Sequence, residues 1–168
     1  MQEDLRKKLQ EAQSFGEVFQ VVKKAVQSVL GIRRAGLELI LMDLPREVKA
    51  LHRIGSNVIL LNRKTLEAIL KTSKTKLEVN SYLFSILLHE YLHSLGIVDE
   101  DEVRMLSIKV IRDSLGEDHI AYKITSRDLA DIHPETEEEF EYEVDGDVEI
   151  IQDFDVDNAD YILSLIHI

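Results

Sequence analysis

His89-Glu90-Tyr91-Leu92-His93 sets two imidazoles and a carboxylate within five residues of a strongly apolar run. On a helix four residues turn through about 400°, so both rings project from one side, roughly a turn apart. That spacing lets His89 and His93 chelate one divalent ion. Glu90 lies off that line and can reach a metal-bound water without ligating the metal. Zinc lowers the pKa of such a water to around 7, and a nearby carboxylate can take the proton as attack proceeds. A single histidine on an apolar helix reads as a core residue with a local partner. Two histidines and a glutamate each need a polar partner or cost a few kcal/mol, which favours a site.

The chain continues His93-Ser94-Leu95-Gly96-Ile97-Val98-Asp99, extending the pattern to H-E-x-x-H-x-x-G-x-x-D. The glycine can end the helix and let the chain reverse. The reversal can return Asp99 toward the ion as a third ligand. Two imidazoles, one carboxylate and an open position describe a catalytic zinc site rather than a closed structural one. There is no cysteine, so any metal must be held by His and carboxylate.

The segment His89–Asp99 resembles the zinc-binding consensus of the metzincin metallopeptidases, in the snapalysin-type variant whose third histidine is an aspartate. The resemblance implies Zn2+ held by His89, His93 and Asp99, with Glu90 as general base. It covers about eleven of 168 residues. It also implies a zincin-like fold, with residues 57–62 as the sheet edge that binds peptide by strand addition. Metzincins carry a methionine turn well after the third ligand, whereas the methionines here are Met1, Met42 and Met105. In a gluzincin arrangement the third ligand is a Glu on a following helix, and Glu102 or Glu117 would serve.

These residues need a scaffold. Leu5, Leu9, Ala12, Val18, Val22, Ala25, Val26 and Val29 recur at helical spacing, predicting one amphipathic helix that ends near Gly31. Leu37 to Leu41 and Val58 to Leu61 read as buried strands, and Thr65 as the cap of a short helix through about Leu70. Val79 to Leu95 is apolar on nearly every side and predicts a buried helix stopped at Gly96. A further helix is expected from about Glu102 to Leu115. Phe140, Tyr142 and Val144 alternate with Glu139, Glu141 and Glu143 before Asp145-Gly146, the pattern of a β-hairpin with an acidic face. The expected fold is α+β: a small zincin-like domain over residues 1–133, with a short mixed sheet on the motif helix, and an acidic β-rich extension over 134–168.

The formal net charge is -12, and its distribution is uneven. Residues 1–133 carry 20 basic and 19 acidic side chains, whereas residues 134–168 carry 13 acids and no Lys or Arg. Phosphate would be repelled by that tail, and the front part has no basic patch, so nucleic acid is not expected as a partner. The tail reads as a sheet extension, a docking surface for a basic partner, or a self-inhibitory segment whose acid reaches the zinc. The start of the chain has no signal-peptide pattern and no apolar run is long enough for a bilayer, so a soluble, cytoplasmic protein is expected. His52, His119, His133 and His167 read as locally bonded or solvated, Tyr122, Tyr142 and Tyr161 as packing residues, and Asp99–Glu102 as a charge cluster at a helix start.

The function expected from this reading is a zinc metallopeptidase, hydrolysing peptide bonds through a zinc-bound water activated by Glu90. Alternatives are a zinc hydrolase of another substrate such as RNA, and an inactive zinc-binding interaction protein.

Overall fold

The architecture comes from a computed structural model that describes residues 1–130 and 148–155. Among those residues it is a small α+β domain in which six helices and a short mixed sheet build a main core.

The amphipathic register at the N-terminus is split into two helices, α1 (Gln2–Glu11) and α2 (Phe15–Leu30), rather than running unbroken. Ser14 explains the break. Its hydroxyl accepts from the Glu17 amide at 3.1 Å, while the Glu17 carboxylate accepts from the Gln13 amide, a reciprocal cap that starts a new helix. Leu9 and Ala12 carbonyls, left over where α1 ends, accept from the buried Asn80 side chain. The apolar periodicity crosses the break because both helices pack on the same core.

The sheet contains β1 (Glu38–Met42), β2 (Ala50–His52), β3 (Val58–Asn62) and β4 (Glu149–Ile150) in the order β2-β3-β1-β4. β1 and β3 are parallel, with Leu39 beside Ile59, and β2 and β4 run antiparallel to their neighbours. Residues 57–62, expected at the edge, therefore lie inside the sheet. Among the described residues the edges are β2 and β4, and β2, beside β3, is a three-residue strand too short to register in the hydrophobic pattern. Leu39, Leu41, Ile59 and Leu61 join the helices in the main core. Met42, Leu44, Val48, Leu51 and Leu60 form a second cluster. Buried Asn62 pins the connection over it, accepting from Leu44 N and donating to the carbonyls of Leu44, Pro45 and Val48. The same Asn62 oxygen accepts from Lys64 N, so Asn62, not Thr65, caps α3 (Arg63–Thr72).

Helix α4 (Lys76–Ser94) carries the motif and packs against α1, α2, α3, α5, α6 and β2. Enclosed this way, it must be apolar all round, and Leu83, Phe84, Leu87, Leu88, Tyr91 and Leu92 are buried. Helix α5 (Glu100–Ser114) follows a five-residue turn, and α6 (Ile120–Ala130), which the sequence reading did not include, closes the described N-terminal part.

Of the acidic extension, residues 148–155 are described and pack in the same core. β4 pairs with β1, Phe154 stacks on Phe19 with ring centroids 4.2 Å apart, and Asp155 reaches buried Lys23 at 2.7 Å. A Cβ at position 16 would lie 2.4 Å from the Asp153 carbonyl, so this approach requires Gly16. Residues 140–147 of the expected hairpin lie outside the described residues.

Candidate metal centre

Helical geometry does for His89 and His93 what their spacing predicts. Their rings sit one turn apart near the C-terminal end of α4, with centroids 4.9 Å apart. The helix ends at Leu95, and Gly96 takes a φ of +98°, a left-handed turn open chiefly to glycine. Gly96 N donates to the His93 carbonyl at 3.0 Å, and the chain folds back toward the imidazoles.

The carboxylate brought back belongs to Glu100. One of its oxygens lies 2.6 Å from His93 Nε2 and the other 3.0 Å from His89 Nε2. Potential ligand atoms of His89, His93 and Glu100 all lie within 4.8 Å of one another, so this group could hold a metal ion. Asp99, expected there, is the exposed N-cap of α5, its carboxylate accepting from Asp101 N at 2.9 Å. A side chain committed to capping does not turn toward the histidines, and the next residue, the first of the helix, does. Glu102 and Glu117 are exposed and, among the described residues, stand outside the group.

His93 is held at both nitrogens. Nδ1 lies 2.8 Å from the Ile97 carbonyl, which only accepts, so Nδ1 carries a hydrogen. Nε2 then donates to Glu100, the bonding pattern of an imidazolium. Burial pulls the His93 pKa down, but the Glu100 hydrogen bond and the charges of Glu90 and Glu100 lift it above its ordinary value. An ion would take the Nε2 lone pair and leave the Nδ1–H bond to Ile97 as the ring's outer support.

Glu90 is buried, 3% exposed, and its Oε2 has no hydrogen-bond partner among the described residues. Burial pushes its carboxyl above the usual range, partly opposed by the charges of His89 and His93. A buried carboxyl with an orphaned oxygen is destabilising by itself, which points to a role other than packing. Two imidazole nitrogens and one carboxylate form a donor set that could hold a divalent metal ion, with this orphaned acid next to His89 in the chain.

Surrounding bonds hold the end of α4 in place. Buried Tyr91 accepts from Arg34 N at 2.8 Å, while the Arg34 guanidinium donates to the carbonyls of Ser94 and Ser56. His52, on β2, donates from Nε2 to the Ser56 carbonyl at 2.8 Å, and burial holds its pKa down. His119 accepts from Ala121 N at the start of α6, a local cap, and burial lowers its pKa as well. Tyr122 packs beside the core. His133, His167, Tyr142 and Tyr161 lie outside the described residues.

Glu100 stands outside the ligand set expected from the sequence. One signal was available for Glu100: an Asp just before a helix is a preferred cap, and capping uses its carboxylate. Compared with known proteins, the chain matches no family model, no curated protein and no solved structure. No helix among the described residues is long and apolar enough to cross a membrane.

Proposed function

We propose that this chain is a zinc-dependent hydrolase of peptide bonds, with the ion held by His89, His93 and Glu100 and with Glu90 as general base. The observation that carries the reading is the convergence of both imidazoles on one carboxylate, beside a buried glutamate with an unpartnered oxygen. The third ligand differs from the expected Asp99 and comes from the helix after the motif, as in the gluzincin alternative.

When bound, the ion would supply Lewis acidity, polarising a carbonyl and acidifying water in the site. Ile97 fixes the His93 ring through Nδ1, and the turn at Gly96 fixes the approach of Glu100. Glu90, whose carboxyl burial lifts above its ordinary range, takes a proton from the attacking water and passes it to the departing amine. A peptide is the favoured substrate because β2 packs beside α4 and ends the described sheet, where an extended chain can add as a further strand.

The test is the zinc content of the purified full chain beside His93→Ala, Glu100→Gln and Asp99→Asn, together with cleavage of an unstructured protein such as casein by wild type and Glu90→Gln. Stoichiometric zinc lost in the first two variants and kept in Asp99→Asn supports the centre. Zinc-dependent cleavage that disappears in Glu90→Gln supports the chemistry. A wild type that binds no zinc overturns the reading.

A further inference from the structure

Glu100 is shared by three cations or potential cations. Besides His89 and His93, Arg104 on the next turn of α5 places a guanidinium nitrogen 3.6 Å from Glu100 Oε2, the oxygen that also faces His89. The other arm of the guanidinium meets Asp101 Oδ1 at 3.5 Å. An arginine on the first turns of an acidic helix would ordinarily extend into water, yet this side chain is only 15% exposed. Its burial falls against the one carboxylate that faces both histidines.

We propose that Arg104 is a positioning residue for the metal centre: it holds Glu100 toward His89 and His93 when the imidazoles no longer can. The inference rests on the proposed centre. In the geometry described, both imidazoles support Glu100 through their Nε2 atoms. An imidazole that binds an ion does so through a nitrogen lone pair and has no hydrogen there to give. Metal binding at Nε2 therefore removes two of the contacts that orient Glu100. Arg104 is a donor of another kind. Its guanidinium stays protonated at any working pH and carries its hydrogens whether or not a metal is present. It can keep one carboxylate oxygen, Oε2, in place while Oε1 faces His93, and Asp101 steadies its other arm. Carboxylates that ligate metals depend on such outer partners, whose loss typically weakens binding about 10- to 100-fold.

Repulsion between the guanidinium and the ion works in the opposite direction, which makes the sign of the effect diagnostic. The carboxylates of Glu100 and Asp101, both set against the guanidinium, offset that repulsion, so positioning dominates. Arg104→Met keeps the apolar stem and removes the donors, whereas Arg104→Lys keeps a charge without the fork.

The experiment measures Co2+ and Zn2+ affinity of the full chain by competition with a chelator, the visible spectrum of the Co2+ form, and the thermal midpoint without metal. Arg104→Met is expected to bind both ions about 10- to 100-fold more weakly, with an altered Co2+ spectrum and an unchanged metal-free midpoint. Arg104→Lys should recover part of the loss. Unchanged or tighter binding in Arg104→Met overturns the proposal. So does a weaker affinity accompanied by a lower metal-free midpoint and a wild-type spectrum, which would make Arg104 a packing residue. A wild type that binds neither ion removes the centre itself, a failure visible before any Arg104 variant is compared.

Discussion

Glu100 meets His93 across seven residues of chain, its carboxylate oxygen 2.6 Å from the imidazole Nε2, while Asp99 beside it faces its own helix. Adjacent carboxylates thus have different work, separated by one residue of helical phase.

That division predicts opposite outcomes for two conservative changes. Glu100→Gln should lose stoichiometric zinc, because a neutral amide is a far poorer ligand and the charge opposing the ion is gone. Asp99→Ala should keep its zinc and lose about 1 kcal/mol of stability, the ordinary cost of removing an N-cap. Metal analysis and urea titration of both variants decide the matter. Zinc lost from Asp99→Ala and retained by Glu100→Gln would restore Asp99 as the ligand.

Glu90 should show the signature of a residue kept for activity at the expense of stability. Its native pKa is raised by burial above the ordinary 4.5. The folded state therefore holds its proton more tightly than the unfolded chain, and stability falls as pH rises from 4.5 through the raised native value. Glu90→Gln removes that penalty. The metal-free variant should be more stable than wild type at neutral pH, with the advantage vanishing below 4.5, and turnover should fall about 10²- to 10⁴-fold with zinc still bound. Thermal midpoints measured across this pH range would expose an error if the variant were less stable at pH 7.

Much of this centre was legible in the sequence, and the reasons are physical. A helix of nineteen residues enclosed by other elements must be apolar all round, so α4 announces itself, and four-residue spacing fixes the imidazole pair. The third carboxylate was harder to read, because Asp99 to Glu102 are four consecutive acids and only the cap geometry distinguishes them. β2 carries no sequence signal because three residues show too little alternation, and the edge expected at residues 57–62 came from the zincin resemblance alone, which β2 overturns by pairing outside β3. The break between α1 and α2 was written in Ser14 and Glu17 but masked by an apolar register continuous across it. Arg104 has no sequence signal apart from its i,i+4 relation to Glu100.

His119 offers a pH test outside the candidate metal centre. Burial lowers its pKa from 6.5, so the unfolded chain takes up a proton at a higher pH than the native one. Protonation then favours unfolding, and His119 costs stability as pH falls below 6.5. His119→Asn can still accept from Ala121 N and has no such titration. Its metal-free thermal midpoint should fall less than that of wild type between pH 7 and pH 5.5. Parallel curves for the two proteins would remove His119 from the account.

The C-terminal contact between Lys23 and Asp155 should be a principal support of the fold. Both side chains are 1% exposed, and the second Asp155 oxygen accepts from the amides of Gly36 and Leu37. Removing one partner strands a buried charge, so Lys23→Met or Asp155→Asn should each cost about 3 to 5 kcal/mol. The double variant should be more stable than the sum of the two losses implies, because Met fills the site without charge and Asn still accepts from the backbone amides. Ending the chain after residue 147 would remove Phe154 as well, and should unfold the domain or lower its urea midpoint by more than either single change. Full stability in that truncated chain would show the contact to be dispensable. The same logic bears on self-inhibition by the acidic extension: truncation at His133 would also remove Asp155, so the decisive variant keeps residues 148–155 and neutralises Glu137, Glu138, Glu139, Glu141 and Glu143. Higher peptidase activity in that variant would assign the segment an inhibitory role, and unchanged activity would remove it.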